Sequence, residues 1–356
     1  MPAPLITVLM AVYDGEKCLT RTIGSILNQT FTDFEFLIVN DCSTDRTVDV
    51  IQSYDDERIR VHNSKTNMGQ TKSLNVGLDL AKAKYIARMD ADDYSLPERL
   101  EKQYRYITRH PEYSVVSTDC LVIDEFGARR SISKGCSEYK DVIVKLLTGS
   151  PINHVSVLMN KEHIARVGGY DCKYRIVADL DLWSRLIRKG YKISNLHEVL
   201  SAYRLSERSY SYLNNVRAMQ EKRDIFCENI TSFSSFPVNK ASVEEVITLF
   251  SDGFANMPKE SILRAEDTYK NIIVHLRPQF GARIAEVEMN RLLAKNYWIA
   301  AYHYILEKRQ SRARHVIRLC IRNHGVMPYS VAIYLLTYLP ISAIRKLNYV
   351  RARFLS

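Results

Sequence analysis

The sequence lacks the cysteine spacing of a zinc site or of a disulfide framework. Its 356 residues include seven cysteines, an odd number, which are widely scattered and never in CxxC spacing. This pattern predicts reduced thiols and a cytosolic protein. The first residues, MPAPLITVLMAVYDGE, also lack a basic region ahead of their apolar run, so they are not expected to be a signal peptide.

Glycine-rich nucleotide motifs are missing as well. No GxGxxG follows the first apolar run and no GxxxxGK(S/T) occurs in the chain, so a dinucleotide-binding or P-loop protein is not indicated. Hydrophobic residues make up 46% and charged residues 25% of the chain, which is ordinary for a globular protein and excludes a disordered or fibrous one. The length predicts one large core with an appendage, or two domains.

Acidic residues are nearly missing from the last fifth of the chain. Residues 291–356 contain 12 Lys and Arg but one acid, Glu307, whereas the preceding 290 residues contain 38 bases and 39 acids. Such a basic tail predicts an acidic partner, either nucleic acid or an anionic membrane. Its basic residues are interleaved with long apolar runs rather than with a stacking platform, so we expect a membrane and no nucleic acid.

One segment of this tail has nearly the length of a membrane span. Residues 325–344 carry no charge, but Pro328, Pro340 and several polar residues dilute their hydrophobicity, and basic clusters flank them. We expect a helix lying in the headgroup region of an anionic leaflet. Internal packing of a terminal helical hairpin and a true span are the alternatives.

Strand-like and helix-like patterns alternate over residues 5–125. Residues 5–12 form a continuous apolar run typical of a buried parallel strand, and Ser43 is expected to cap a helix that begins near Thr44. The alternation predicts an α/β fold in which helices cover both faces of a mostly parallel sheet. The predicted strands are 5–12, 34–39, 59–62, 85–89 and 115–123, and the other predicted helices are 17–28, 71–83 and 97–110.

The pattern is mixed after residue 137 and mainly helical after Ser209. We therefore predict a first domain over residues 1–210 and a helical region with the basic tail over 211–356. In the mixed part, Gly190 is expected to end a helix. The predicted elements there are helices over 139–147 and 179–188, and strands over 155–159, 192–196 and 199–203. The later predicted helices are 214–229, 243–254, 261–274, 282–309 and 312–322.

Carboxylates gather where two predicted strands end. Asp90, Asp92 and Asp93 follow the strand YIARM, and Asp41 follows the second strand. Ligands of open α/β sheets bind beyond the carboxyl ends of the strands. Several carboxylates there need a cation, and hard oxygen ligands in small number suit Mg²⁺ or Mn²⁺ together with a substrate phosphate. A strand-end acid such as Asp41 commonly accepts hydrogen bonds from ribose hydroxyls. Together with the carboxylates after the YIARM strand, it predicts that the ligand contains a nucleoside diphosphate. The alternative is an acidic loop that caps the next helix.

A third acidic pair opens a predicted helix in VADLDLW. Asp179 and Asp181 could serve only as caps or as partners of the helix dipole. The functional alternative is a general base that removes a proton from an attacking hydroxyl.

Taken together, four ordered segments resemble the inverting family 2 glycosyltransferases of the GT-A fold, as in bacterial O-antigen, capsule and lipopolysaccharide synthesis. The resemblance covers roughly residues 4–205 and is specific because the four segments occur in the family's order and spacing. The segments are ITVLMAVYDGEKCLTRTIGSILNQTFTDFEFLIVNDCSTDRT, NMGQTKSLNVGLDLAKAKYIARMDADDYSLPERLEKQ, INHVSVLMNKEHIARVGGYD and ADLDLWSRLIRKGYKISNLHEVLSAYR.

The resemblance implies a role for each matched position. The implied nucleotide site comprises Ala11, Tyr13 and Asp41 for the uridine and ribose, Asn67 and Gly69 at its border, and Arg88 at the diphosphate. Asp90-Ala91-Asp92 corresponds to the DxD motif, in which Asp92 binds Mn²⁺ or Mg²⁺ and Asp90 reaches the ribose or a metal-bound water. Asp179 corresponds to the catalytic base, and His154 and Trp183 lie toward the acceptor.

The chain departs from the family pattern at two positions. Ala178 stands where a glutamate usually precedes the base, so Asp181 is a candidate to share its work. A histidine expected after the last strand is replaced in Tyr203-Arg204-Leu205-Ser206, and Arg204 or Arg208 is a candidate to supply the positive charge.

The resemblance implies a metal-dependent, inverting transfer of a sugar from a nucleotide sugar, with UDP expected, to a glycan hydroxyl. Reduced cysteines and the basic tail favour a lipid-linked acceptor, such as a polyprenyl-diphosphate glycan, at the inner face of the cell membrane. A sugar-phosphate nucleotidyltransferase and a non-catalytic glycosyltransferase-like binding module are the alternatives. The first should show a glycine-rich amino-terminal signature, and MAVYDGEKC has none.

Overall fold

The computed structural model describes residues 3–147, 149–205, 215–234, 240–249 and 258–280, together with 313–314 and 317–318. The described residues up to Ile225 form one compact unit, and those from Phe226 onward form a second. The predicted boundary near residue 210 and Arg208 lie outside the described residues, as do the segment 325–344 and most of the basic tail. The domain division therefore stays a prediction. In the described part of the chain, no helix is long and apolar enough to cross a membrane.

The first unit is built on a mixed sheet with nine strands among the described residues. The strand order is β3-β2-β1-β4-β8-β6-β9-β5, and β7 pairs with β6 outside this path. The strands are β1 (Ile6–Val12), β2 (Phe34–Asn40), β3 (Ile59–Asn63), β4 (Tyr85–Asp90), β5 (Tyr94–Ser95), β6 (Tyr113–Ile123), β7 (Arg129–Ser133), β8 (Leu158–Asn160) and β9 (Lys192–Arg204).

The central strands follow the predicted pattern. Strand β1 runs parallel to β2 on one side and to β4 on the other, so it is buried on both faces and reads as a continuous apolar run. In this register Val12 lies opposite Asn40 and Ala11 lies opposite Asp90. The carboxyl ends of β1, β2 and β4 therefore meet at one edge of the sheet, as predicted.

Three predicted strands differ in the structure. The predicted strand 155–159 is a short 3₁₀ turn, His154–Ser156, followed by β8, which lies antiparallel between β4 and β6. The two predicted strands within 192–203 are one strand, β9, whose register against β6 shifts at Thr118/Asp119. Periodicity shows neither feature, because both depend on which distant strand lies alongside.

Helices cover the sheet and continue beyond it. They are α1 (Leu19–Leu27), α2 (Thr47–Gln52), α3 (Gln70–Leu80), α4 (Arg99–Arg109), α5 (Tyr139–Leu146), α6 (Lys161–Arg166), α7 (Ala178–Arg188), α8 (Asn215–Ser234), α9 (Lys240–Leu249) and α10 (Lys259–Phe280). Helix α2 begins at Thr47 rather than near Thr44, and Ser43 does not cap it, because Asp45 accepts the Thr47 N–H at 2.9 Å instead. Gly190, with a φ of +80°, follows the last turn of α7 as predicted.

Apolar side chains on the helices pack against the buried strands. Leu19, Ile23 and Ile26 of α1 are fully buried in one core cluster with β1 and β2. Helix α3 approaches β1 closely at Gly77, where a Cβ atom would lie 2.1 Å from Leu9 Cδ1. In the second unit, α9 and α10 are joined by an ion pair between Arg264 and Glu245 at 2.6 Å. The six cysteines among the described residues are all free.

Candidate active site

The acidic end of β4 is organised around Asp90. The buried Arg88 guanidinium donates to both Asp90 oxygens, from Nη1 to Oδ2 at 2.8 Å and from Nη2 to Oδ1 at 2.5 Å. Gln70, the first residue of α3, adds a hydrogen bond from Nε2 to Oδ1 at 2.8 Å. Both Asp90 oxygens therefore already have donors, and the side chain is held in one orientation.

Asp92 is the open carboxylate of the motif. Its side chain is exposed, and among the described residues no other residue donates a hydrogen bond to it. Partial loss of solvation in the acidic cleft and, next, the charge of Asp90 raise the pKa of Asp92 to about 6, against a weaker opposing effect of Arg204. A nearby cation would stabilise the ionised form of a carboxylate whose pKa is raised in this way.

Asp93 turns inward and links the motif to the end of β9. It is 4% exposed, and its Oδ1 accepts the Arg204 N–H at 2.8 Å. Burial and the charges of Asp90 and Asp92 raise its pKa well above the usual range. The Arg204 guanidinium donates to the carbonyls of Asp124 and Glu125. These hydrogen bonds fix the end of β9 beside the acidic loop.

Asp41 holds the loop that opens α3. Its two oxygens accept the N–H groups of Met68 at 2.8 Å and Gly69 at 2.7 Å. Gly69 has a φ of +85°, a conformation that suits glycine at the start of this helix. Asn67, one residue before this pair, is exposed, and Tyr13 beyond β1 is 50% exposed. The predicted nucleotide residues thus border an open surface, with Asp41 fixing one wall.

Asp179 lies in the first turn of α7, partly exposed. Its Oδ2 is 3.5 Å from the Ser150 hydroxyl, which can donate to it. Burial raises its pKa, while the Leu180 N–H and the charges of Arg88 and Lys222 oppose the rise. Arg88, on β4, is thus one of the charges that act on Asp179.

Tyr170 is buried and contacts His154. Its side chain is 2% exposed, and its hydroxyl lies 2.8 Å from His154 Nε2. Burial raises the pKa of Tyr170, with Arg88 opposing and Asp179 and Asp90 adding to the rise. Burial and then the charge of Arg88 hold the pKa of His154 well below its usual range, so its ring is neutral at physiological pH.

Trp183 and Asp181 occupy interior positions on α7. Trp183 is fully buried and packs edge-on against His154 at 5.8 Å between ring centroids. Asp181 is 2% exposed and pairs with Arg185, from Nη2 to Oδ2 at 2.6 Å. Arg185 also donates to the Gly169 carbonyl at 2.7 Å. The Asp181 carboxylate is therefore engaged in fixing the turn before Tyr170.

The donor set fits a divalent cation that takes most of its ligands from a substrate. Within the described ranges, no group of three or more His, Cys, Asp or Glu side chains is arranged to hold a metal ion. Asp92 is open and destabilised as an anion, and Asp90 lies beside it with its oxygens held by Arg88 and Gln70. Mg²⁺ and similar ions commonly bind through one or two carboxylates, with waters and phosphate oxygens completing the shell.

Three residues of this neighbourhood were not predicted from the sequence. Gln70 and Tyr170 lie within the quoted segments, but no motif indicates which residues they contact. The third, Glu221 on α8, accepts N–H groups from the loop that precedes α7. No sequence signal marked Glu221, because it lies beyond the resembling segments.

Comparisons with known proteins identify the family of this chain. The model of the family described as Glycosyl transferase family 2 matches residues 7–160. The putative glycosyltransferase EpsE of Bacillus subtilis is 35% identical over 219 residues, which cover 59% of this chain and 78% of EpsE. The O-antigen biosynthesis glycosyltransferase WbnJ of Escherichia coli is 34% identical over 212 residues, covering 58% and 81%.

Two solved structures show the same fold at low sequence identity. Staphylococcus aureus TarS, in complex with UDP-GlcNAc, has a TM-score of 0.54 and 17% identity, covering 88% of this chain and 90% of that one. The mannosyltransferase PcManGT of Pyrobaculum calidifontis, in complex with GDP-Man and Mn²⁺, has a TM-score of 0.53 and 16% identity, covering 91% and 88%. The α/β fold predicted from the sequence is confirmed.

Proposed function

The chain belongs to glycosyl transferase family 2, and we propose that it moves a sugar from a nucleotide sugar to a glycan hydroxyl during synthesis of a cell-surface polysaccharide. The observation that carries this proposal is the acidic end of β4, where Arg88 and Gln70 clamp Asp90 and leave Asp92 open. The name of the O-antigen relative supports the polysaccharide setting.

The donor we propose is a UDP-sugar bound at the joined ends of β1, β2 and β4. Ala11, Tyr13, Asn67 and Gly69 border this edge, and Asp41 fixes the wall that contains Gly69. The solved relatives hold UDP-GlcNAc and GDP-Man, so the nucleotide is the first property to test.

A divalent cation, Mn²⁺ or Mg²⁺, would be held by Asp92 with Asp90 beside it. Once bound, it supplies positive charge to the departing diphosphate. Arg88 pairs with Asp90, and Arg204 adds positive charge near Asp92. The positive charges of these two arginines thereby offset the negative charge of the acidic cleft around the diphosphate.

Asp179 is the proposed base. The acceptor oxygen forms a bond to the anomeric carbon while the bond from that carbon to the diphosphate oxygen breaks, and Asp179 takes the hydroxyl proton. Attack opposite the leaving group inverts the anomeric centre. The partly buried setting that raises the pKa of Asp179 makes it a stronger base than a fully solvated aspartate. His154, neutral and hydrogen-bonded to Tyr170, lies toward the acceptor.

The donor proposal is tested by thermal unfolding of the full chain with UDP, GDP, CDP and dTDP, each with and without Mn²⁺. A nucleotide at 100 times its Kd should stabilise the protein by about 2.7 kcal/mol. We expect one nucleotide to stabilise only with Mn²⁺, and Asp92→Asn to abolish the shift. No shift with any nucleotide would contradict the proposal.

Turnover separates this function from its alternatives. Release of nucleoside diphosphate from a nucleotide sugar is expected of a glycosyltransferase. Binding without release would indicate a non-catalytic module. Pyrophosphate release from a nucleoside triphosphate and a sugar phosphate would indicate a nucleotidyltransferase instead.

The acceptor we propose is lipid-linked and displayed at the inner face of the cell membrane, where the protein binds peripherally. The 12 Lys and Arg of residues 291–356 support this placement through charge attraction to anionic lipids. The full chain should sediment with vesicles containing phosphatidylglycerol and dissociate at high salt. Equal sedimentation with pure phosphatidylcholine, or preferential binding to single-stranded DNA, would contradict the membrane proposal.

A further inference from the structure

The carboxylate of Glu221 on α8 is attached to the backbone just ahead of α7. It accepts the N–H groups of three consecutive residues: Arg175 at 3.1 Å to each oxygen, Ile176 at 2.9 Å and Val177 at 3.3 Å. Arg217, one turn earlier on α8, donates from Nε to Glu221 Oε1 at 2.9 Å. Glu221 itself is only 7% exposed.

The loop held by Glu221 leads directly into the turn that contains the proposed base. Val177 precedes α7 with a non-helical φ of −118° and ψ of 35°, and Ala178 and Asp179 follow it. The N–H groups at the start of a helix have no partners within that helix. Ala178, with only a methyl group, cannot supply an acceptor from its own side chain. Glu221 accepts the N–H of Val177, directly before the helix, and those of the two residues ahead of it, so the position of the first turn of α7 depends on Glu221.

Charge reinforces this attachment. A carboxylate beside the start of a helix is stabilised by the positive end of the helix dipole. Burial disfavours the Glu221 anion, but the N–H donors and Arg217 outweigh burial and lower its pKa. Glu221 is therefore ionised at neutral pH, when its hydrogen bonds to the loop are strongest.

We infer that Glu221 is a positioning residue for Asp179, acting through the backbone of residues 175–177. This inference rests on the proposed function, in which Asp179 is the base. It also extends the catalytic unit past the predicted boundary at residue 210, since a residue of α8 sets the geometry of α7. A base displaced by about 1 Å loses roughly 100-fold in rate.

The test compares the full-length variants Glu221→Ala and Glu221→Gln with Asp224→Asn. Asp224 lies one turn further along α8 and pairs with Lys173 at 3.6 Å rather than with residues 175–177, so it is the matched control. Glutamine keeps one accepting oxygen, so the Glu221→Gln variant still tests the inference if the alanine variant fails to fold. The readouts are amide hydrogen exchange of residues 175–178, thermal stabilisation by UDP with Mn²⁺, and release of UDP from UDP-hexoses with water in the acceptor's place.

In Glu221→Ala we expect exchange at residues 175–177 to accelerate about tenfold or more and kcat to fall about 10- to 100-fold. KM for the donor and stabilisation by UDP should be unchanged, because Asp90 and Asp92 are untouched. Glu221→Gln should lie between, and Asp224→Asn should match the wild type. Unchanged exchange or unchanged kcat in Glu221→Ala would overturn the inference. A wild-type protein that releases no UDP from any donor would instead contradict the proposed function, while the exchange data still report on Glu221.

Discussion

Arg88 and Asp90, two residues apart on β4, form a two-point ion pair with donor–acceptor distances of 2.8 and 2.5 Å. Alternate residues of a strand share one face, so this spacing places the guanidinium beside the carboxylate. Arg88 is 2% exposed, so its positive charge lies buried beneath the acidic cleft. The pair explains why Asp92, rather than Asp90, is the open carboxylate of the site.

Arg88→Met should destabilise the metal-free protein by about 2–3 kcal/mol, because Asp90 then loses its buried counter-charge. Urea unfolding at neutral pH measures this loss. The double variant Arg88→Met, Asp90→Asn should recover part of it, since no uncompensated carboxylate remains at position 90. A single variant within 0.5 kcal/mol of the wild type would show that the pair contributes little.

Lys222→Met should move the acid limb of the pH–rate profile to higher pH. The proposed base, Asp179, can accept a proton only when ionised. Burial raises its pKa, and the charges of Arg88 and Lys222 lower it. Removing one positive charge therefore raises that pKa, so activity is lost at a higher pH on acidification. Tyr170 and Ser150 also face Asp179, but both remain neutral over this range. Lys222→Arg keeps the charge and should leave the profile unchanged, and a Met variant with the wild-type profile would argue against Asp179 as the titrating base.

Asp41→Ala should cost about 1–3 kcal/mol of stability, because two backbone N–H groups lose their acceptor. The same change should speed amide exchange at Met68 and Gly69 and weaken nucleotide binding beside the loop that they form. Asn67→Ala, in the exposed residue next to this pair, is the control and should stay within about 0.5 kcal/mol. Equal urea midpoints for the two variants would mean that Asp41 does not hold this loop.

Replacing either of two helical glycines with alanine should change the stability of the protein, in opposite directions at the two positions. At Gly77 a Cβ atom would lie 2.1 Å from Leu9 Cδ1, so Gly77→Ala should destabilise by about 1–3 kcal/mol through overpacking. At Gly24 in α1 no atom lies within 4 Å of the added Cβ, so Gly24→Ala should stabilise by about 0.5–1 kcal/mol. Thermal unfolding of both variants measures the contrast. A stabilised Gly77→Ala would mean that α3 can shift away from β1 without loss.

The sequence by itself determined the strands and the acidic cluster at their ends. The apolar runs of β1, β2 and β4 identify buried parallel strands, and parallel strands bring Ala11, Asn40 and Asp90 to one edge whatever else the fold contains. The limits of α1, α3, α4, α5 and α7 were predicted to within three residues, whereas α8 and α10 end five and six residues beyond their predicted ends. These features are local, because each depends on residues close together in the chain.

Only the tertiary structure decided which side chains complete the site. The antiparallel insertion of β8 and the contact between Tyr170 and His154 depend on segments that the chain brings together from a distance. The clearest case is Glu221, which lies 44 to 46 residues beyond the N–H groups it accepts. No periodic pattern specifies such a pairing, because the favourable free energy comes from hydrogen bonds between a carboxylate and N–H donors that meet only after the chain has folded.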